Sequence, residues 1–158
     1  MGVGELSREV LGGHVNEISI RDAEERDAPA IASLCGQLGY PTPAEAVASR
    51  MDRLREGGQA RVVVAVDGDS TVGLATIHLR HMINHEAPIG QLTLLVVDER
   101  VRGQGVGRLL VAESEAWARA RGCKRFVVTT ALRRSEAHAF YEKLGFLHTG
   151  RRYGKDFS

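Results

Sequence analysis

Cysteine is scarce. Only Cys35 and Cys123 occur among 158 residues, too few for a disulfide framework, which suggests a reducing, cytoplasmic setting. An excess of charge of one sign is also missing: 21 Lys and Arg face 20 Asp and Glu, for a net charge of +1. No large field therefore argues for a nucleic acid or a membrane surface as partner. No apolar run approaches the ~20 residues of a membrane span, and the N-terminus lacks the apolar centre of a signal peptide. What is present is ordinary for a globular chain, with 43% hydrophobic and 26% charged residues, and the length suits one hydrophobic core.

The stretch over residues 92–121 organises the chain. An apolar run, Leu-Thr-Leu-Leu-Val-Val, reads as a buried strand over 92–97. A short polar turn follows, then Gly103, Gly105 and Gly107. A helix comes next, with Val106, Leu109, Leu110, Ala116, Trp117 and Ala120 as its apolar positions. A glycine loop between strand and helix suits an anion. Glycine lets the backbone approach a ligand and adopt positive φ, and the first N–H groups of the helix lack partners and carry the positive end of its dipole. Arg102 and Arg108 flank the loop and add charge.

Two common phosphate loops are absent. A dinucleotide fingerprint with Gly103 and Gly105 needs its third glycine at position 108, where Arg108 stands, and no acidic residue ends the next strand. A Walker loop needs Lys and then Ser or Thr, whereas Gly107 is followed by Arg108 and Leu109.

Around this stretch, alternation and turn residues predict strands over 16–21, 61–66, 71–80, 89–98, 125–130 and 146–153. They predict helices over 22–38, 43–55 and 135–144, the last N-capped by Ser135 and carrying Ala137, Phe140, Tyr141 and Leu144 on one stripe. Residues 1–15 show no period and read as a flexible N-terminal tail. Hairpins mixed with crossovers imply a mixed sheet.

Arg102-x-x-Gly105-x-Gly107 resembles the acetyl-CoA pyrophosphate loop of the GNAT superfamily of N-acetyltransferases. Downstream, Ala137-His138-Ala139-Phe140-Tyr141-Glu142-Lys143-Leu144-Gly145-Phe146 is similar to that family's second motif. The resemblance implies an α+β fold over 16–158, a single N-acetyltransferase domain. Its central mixed, mostly antiparallel sheet would be flanked by four helices and splayed at the acetyl-CoA site. It also implies that backbone groups around Leu95, Val96 and Val97 pair with the pantetheine arm. The pyrophosphate would lie on Arg102, Gly103, Gln104, Gly105, Val106, Gly107 and Arg108, with Ala137, Phe140 and Tyr141 along the cofactor. Tyr141 would be the general acid. The partners implied are a small-molecule amine and, through an edge strand over 146–153, a second copy in a homodimer.

Acetyl transfer needs a proton acceptor, because a free alkyl amine has a pKa of about 10. Many relatives carry a carboxylate on the central strand, but Gln91, Thr93 and Leu94 stand here. His78 and His85 are the candidate bases, with His81 and Glu86 nearby, since imidazole accepts a proton near neutral pH. No metal ligand is assigned: His78 and His81, three apart on a strand, point to opposite faces. Residues 73–97 also resemble aminoalkylphosphonate N-acetyltransferases through Ile77-His78-Leu79, His85 and Ile89-Gly90. A divalent metal has been implicated in those enzymes, which keeps such an ion in view. Two other functions stay open: a non-catalytic acyl-CoA-binding module, which the missing carboxylate allows, and a protein N-acetyltransferase.

Overall fold

The computed structural model describes residues 17–158, so the tail expected over 1–15 lies outside the described residues. Five strands form one open sheet in the order β1 to β5: β1 Ile18–Asp22, β2 Ala60–Asp67, β3 Ser70–Arg80, β4 Ile89–Val97 and β5 Arg125–Val128. The first four pair antiparallel, and β5 joins β4 in parallel. The helices are α1 Ala28–Gln37, α2 Ala44–Arg55, α3 Val106–Ala120 and α4 Ser135–Lys143. This is the expected mixed, mostly antiparallel sheet with four helices. Among the described residues no helix is long and apolar enough to cross a membrane.

Strand alternation builds a core on each face. Val62, Val64 and Val66 of β2 join Leu74 and Val96 beneath Ile31 and Leu34 of α1 and Val47 and Met51 of α2. The intervening Val63 and Ala65 join Ala75, Ile77 and Leu92 beneath Leu110, Trp117 and Ala118 of α3 and Tyr141 of α4. Close packing of α3 depends on glycine in the strands. A Cβ on Gly73 would lie 2.9 Å from Leu110, and one on Gly90 2.8 Å from Ala118.

Three sequence expectations need correction. The inward face of α3 consists of Val106, Leu110, Val111, Ser114, Trp117 and Ala118, while Leu109, Ala116 and Ala120 are exposed. Ser114 hides the true stripe. Its hydroxyl donates to the Leu110 carbonyl at 2.7 Å, so a polar residue sits satisfied at the centre of the apolar face. The strand expected over 146–153 does not form: residues 146–158 carry no regular secondary structure. Only Phe146 of that segment packs on the core. Leu147 and Tyr153 are exposed, and Gly150, Arg151 and Arg152 give no apolar face to bury. A cleft of about 480 Å³, lined in part by Phe126, Val127, Val128, Leu147 and Thr149, lies along the outer edge of β5 instead. A smaller shift concerns Ser135, which opens α4 as its first helical residue and makes no side-chain cap; Arg134 holds the cap position.

Asp27 is the buried ionic hub of the α1 side. Both carboxylate oxygens take the Arg21 guanidinium, at 2.7 and 2.9 Å. They also accept the Glu24 N–H at 2.7 Å and the Thr71 hydroxyl at 2.8 Å. Burial alone would raise the carboxyl's pKa, but Arg21, the Glu24 N–H and Thr71 together hold it at about 2. The charged form is favoured in the folded state, so its stabilisation is present above the ordinary value of about 3.9. It is lost as pH falls towards 2. Asp27→Ala strands Arg21 and an amide; urea unfolding at pH 7 should show a loss of about 1.5–3 kcal/mol. The difference from wild type should shrink when the titration is repeated at low pH. Equal stability of the two proteins at pH 7 would contradict this role.

Candidate active site

The site forms where β4 and β5 part. Their parallel pairing covers Ile89–Leu92 and Arg125–Val128 and then ends. β4 runs on to Val97 with β3 as its only partner strand. From Thr93 to Val97 its other edge has no strand partner, a gap in the pairing of the sheet. At the start of that gap β4 carries a bulge: Thr76 is registered with Leu94 and Ile77 with Leu92, so Thr93 is the extra residue. A bulge bends its strand and increases local twist. It also turns Thr93 out, leaving an exposed residue in the middle of an otherwise covered strand.

At the far end of β4 the chain is anchored before it turns. The Asp98 N–H donates to the Val72 carbonyl at 2.8 Å. The buried Asp98 carboxylate caps the turn, accepting from the Arg100 N–H at 2.9 Å and from its guanidinium at 2.7 Å. Those Arg100 bonds hold the carboxyl at about 2 despite burial. Gln37 of α1 accepts from the Glu99 N–H at 3.0 Å. Arg102 donates from Nε to the Val97 carbonyl at 3.1 Å, which ties it to the strand end.

The glycine loop follows. Gly103 and Gly105 have φ of +79° and +83°, a region that disfavours side chains, and nothing lies within 4 Å of a Cβ built on either. Gln104 and Arg108 are exposed. The Leu109 N–H donates to the Gly105 carbonyl as the first bond of α3, which leaves the N–H groups of Val106, Gly107 and Arg108 without helical partners. Val106 offers only its backbone here, because its side chain is fully buried. Gly107 has a different task. A Cβ there would sit 3.2 Å from the Phe140 ring, so α4 leans on the first turn of α3. The open cradle and unpaired amides suit a phosphate-bearing cofactor.

Tyr141 is buried on α4. It meets the Phe140 and Phe146 rings edge-on, with centroids 5.1 and 5.5 Å away. Burial pushes its phenol up to about 12, against a smaller opposite pull from Arg134. Ala137 is half-buried beside it. His78 lies on the other face of the sheet, opposite Gln91. Its Nδ1 is 3.0 Å from Thr93 Oγ1, which is itself 2.7 Å from Thr76 Oγ1 and donates to the Thr76 carbonyl at 3.2 Å. Burial lowers the pKa of His78 below its ordinary value. Thr76 and Thr93 carry no motif and no titratable group, so sequence reading passed over their link to His78; the bulge that creates it is a register fact.

The structure does not bring His85 to this place. It is exposed in the β3–β4 loop, beside Glu86, Ile89, Lys124 and Arg125, at the end of β4 where β5 is still paired. His81 and Glu86 are exposed in the same loop. Among the described residues no group of three or more His, Cys, Asp or Glu side chains is placed to hold a metal.

The chain is similar to known proteins in both sequence and fold. The profile of the Acetyltransferase (GNAT) family matches residues 20–146. An aminoglycoside N(6')-acetyltransferase type 1 of Stenotrophomonas maltophilia is 34% identical over 138 residues, 84% of this chain and 88% of that protein. The aminoalkylphosphonate N-acetyltransferase of Salmonella typhimurium is 32% identical over 92 residues, 58% of this chain and 60% of its own. An aminoglycoside N-acetyltransferase solved in complex with CoA superposes with a TM-score of 0.81 at 21% identity, covering 94% of this chain and 98% of that one.

The loop's backbone conformation can be tested without a ligand. Gly105→Ala meets no neighbouring atom but must hold a left-handed φ, so denaturant unfolding should show a loss of about 1–2 kcal/mol. An unchanged midpoint would mean that the loop does not hold this conformation.

Proposed function

The chain belongs to the GNAT acetyltransferase family and is an acyltransferase, and from that premise we propose that it moves the acetyl group of acetyl-CoA to a primary amine of a small molecule by direct attack in a ternary complex. The observation that carries this reading is the gap beyond Leu92, which has an open anion cradle at one end and exposed Thr93, beside half-buried His78, at the other. That an aminoglycoside enzyme of similar fold was solved with CoA supports a CoA thioester as the ligand.

The free edge of β4 at Leu95, Val96 and Val97 offers backbone groups to the pantetheine amides. The N–H groups from Gly103 to Arg108 meet the pyrophosphate, and the Arg102 and Arg108 guanidinium groups add charge. Ala137 and Phe140 of α4 flank the arm. Bound acetyl-CoA supplies a thioester carbonyl for the amine to attack.

His78 is the base. Its lowered pKa keeps the ring neutral at pH 7. We assign Thr93 Oγ1 as the acceptor of His78 Nδ1–H, its own proton going to Thr76. That assignment of the tautomer, made from the hydrogen-bond network, leaves the Nε2 lone pair to take the amine's proton. Tyr141 Oη keeps its proton throughout the neutral range and gives it to the departing sulfur. A thioester seated in the gap would lie between the face that carries His78 and the face that carries Tyr141.

Acetyl-CoA should raise the melting temperature more than NAD or ATP at equal concentration, by mass action on the folded state. Arg108→Ala should weaken acetyl-CoA binding by about 1.5–3 kcal/mol, one charge-assisted phosphate contact. Equal thermal shifts from all three nucleotides would contradict the assignment.

Tyr141→Phe keeps the ring and its packing and removes only the hydroxyl. Positioned acid catalysis contributes typically 10²–10⁴-fold, so the single-turnover acetylation rate should fall by about that range with a near-wild-type melting temperature. A rate within about threefold of wild type, well short of that range, would remove Tyr141 from the chemistry.

A further inference from the structure

His78 and Arg80 stand two apart on β3, and Gln91 and Thr93 two apart on β4, so the four share the sheet face that carries α1 and α2. The helices cover Leu74 and Val96 on this face, but cover fades along β3 from half-buried Thr76 and His78 to exposed Arg80. Arg80 Nη1 donates to Gln91 Oε1 at 3.0 Å. Among the described residues no carboxylate lies within ion-pair distance of Arg80.

Arg80 is registered opposite Ile89, and Ile89 opposite Arg125, so a second guanidinium flanks the same row. Arg125 reaches Thr149 at 3.4 Å. Lys124 and Arg125 outnumber Glu86 around the small cavity next to them. A guanidinium fixed by a neutral amide keeps its charge and most of its five donors for a ligand.

Resting on the acetyl-transfer reading above, we propose that Arg80, held by Gln91, is an oxyanion subsite and that the acceptor is a short primary amine with a phosphonate, phosphate or carboxylate a few bonds from its nitrogen. Residues two apart on a strand are about 6.6 Å apart, so one small molecule can present its nitrogen to His78 and its anionic group to Arg80. The neighbouring cation also favours the unprotonated amine. A polycationic amino sugar would bring like charge against Arg80 and Arg125, which costs affinity.

The test is a comparison of kcat/KM at saturating acetyl-CoA for 2-aminoethylphosphonate, β-alanine, propylamine and kanamycin. At least one anionic amine should exceed propylamine by about tenfold to a hundredfold, the scale of one charge-assisted contact. Arg80→Ala should collapse that ratio towards one, and Arg80→Glu should move the preference to kanamycin. The phosphonate and carboxylate arms separate the two anion types. Propylamine acetylated as well as the anionic amines, kanamycin preferred by the wild type, or a ratio unmoved in Arg80→Ala would overturn the subsite and leave acetyl transfer standing. No acetylation of any amine by a protein that binds acetyl-CoA would overturn both. The wild-type preference decides the matter even if a variant folds poorly.

Discussion

Parallel pairing holds β5 to β4 for only four residues, and the site is set by where that pairing stops. A fully zipped pair would bury every backbone group of the central strand and leave no entry. Ending at Leu92 frees the β4 edge over five further residues, and the extra residue at Thr93 turns the strand at that point. The unpaired edge is a liability in an ordinary sheet. Here it opens beside a polar side-chain network, which is where an extended, amide-bearing ligand can complete the missing pairing.

The surrounding packing keeps that gap open and aimed. α3 lies close because Gly73 and Gly90 leave room for Leu110 and Ala118. Its N-terminus is delivered to the gap by the Asp98 turn, which is itself tied to β3 through Val72 and to α1 through Gln37. α4 is seated by Phe140 on Gly107, so the residues that position Tyr141 are the same ones that shape the start of the anion cradle. The glycine loop, Tyr141 and the strand end are therefore mechanically linked, although they come from three separate elements.

Much of this was legible in the sequence because it is local. Gly103, Gly105 and Gly107 between an apolar run and a helix announce their turn at any distance from the rest of the fold, and alternation located β1 to β5 within a few residues. The failures are non-local. Ser114 breaks the α3 stripe only on paper, since its bond to Leu110 is invisible in a hydropathy pattern. The segment after Phe146 looks like a strand only if a partner and an apolar face are assumed. His78 and His85 were equivalent as residues, and only strand register distinguishes them by placing one beside Thr93 and the other at the closed end. Arg80 and Gln91 belong to no motif and became informative only when β3 and β4 were set side by side.

The most direct measurement of the central claim is a titration of the isotope-labelled protein with acetyl-CoA, following backbone amide shifts by NMR. The account predicts that the largest changes fall on Leu95, Val97 and the amides from Gly103 to Arg108, with Thr93 and Tyr141 next. The early β4–β5 pairs, Ile89–Arg125 through Leu92–Val128, should move little. Changes centred on the cleft outside β5 or on the β3–β4 loop, with the glycine loop silent, would contradict it.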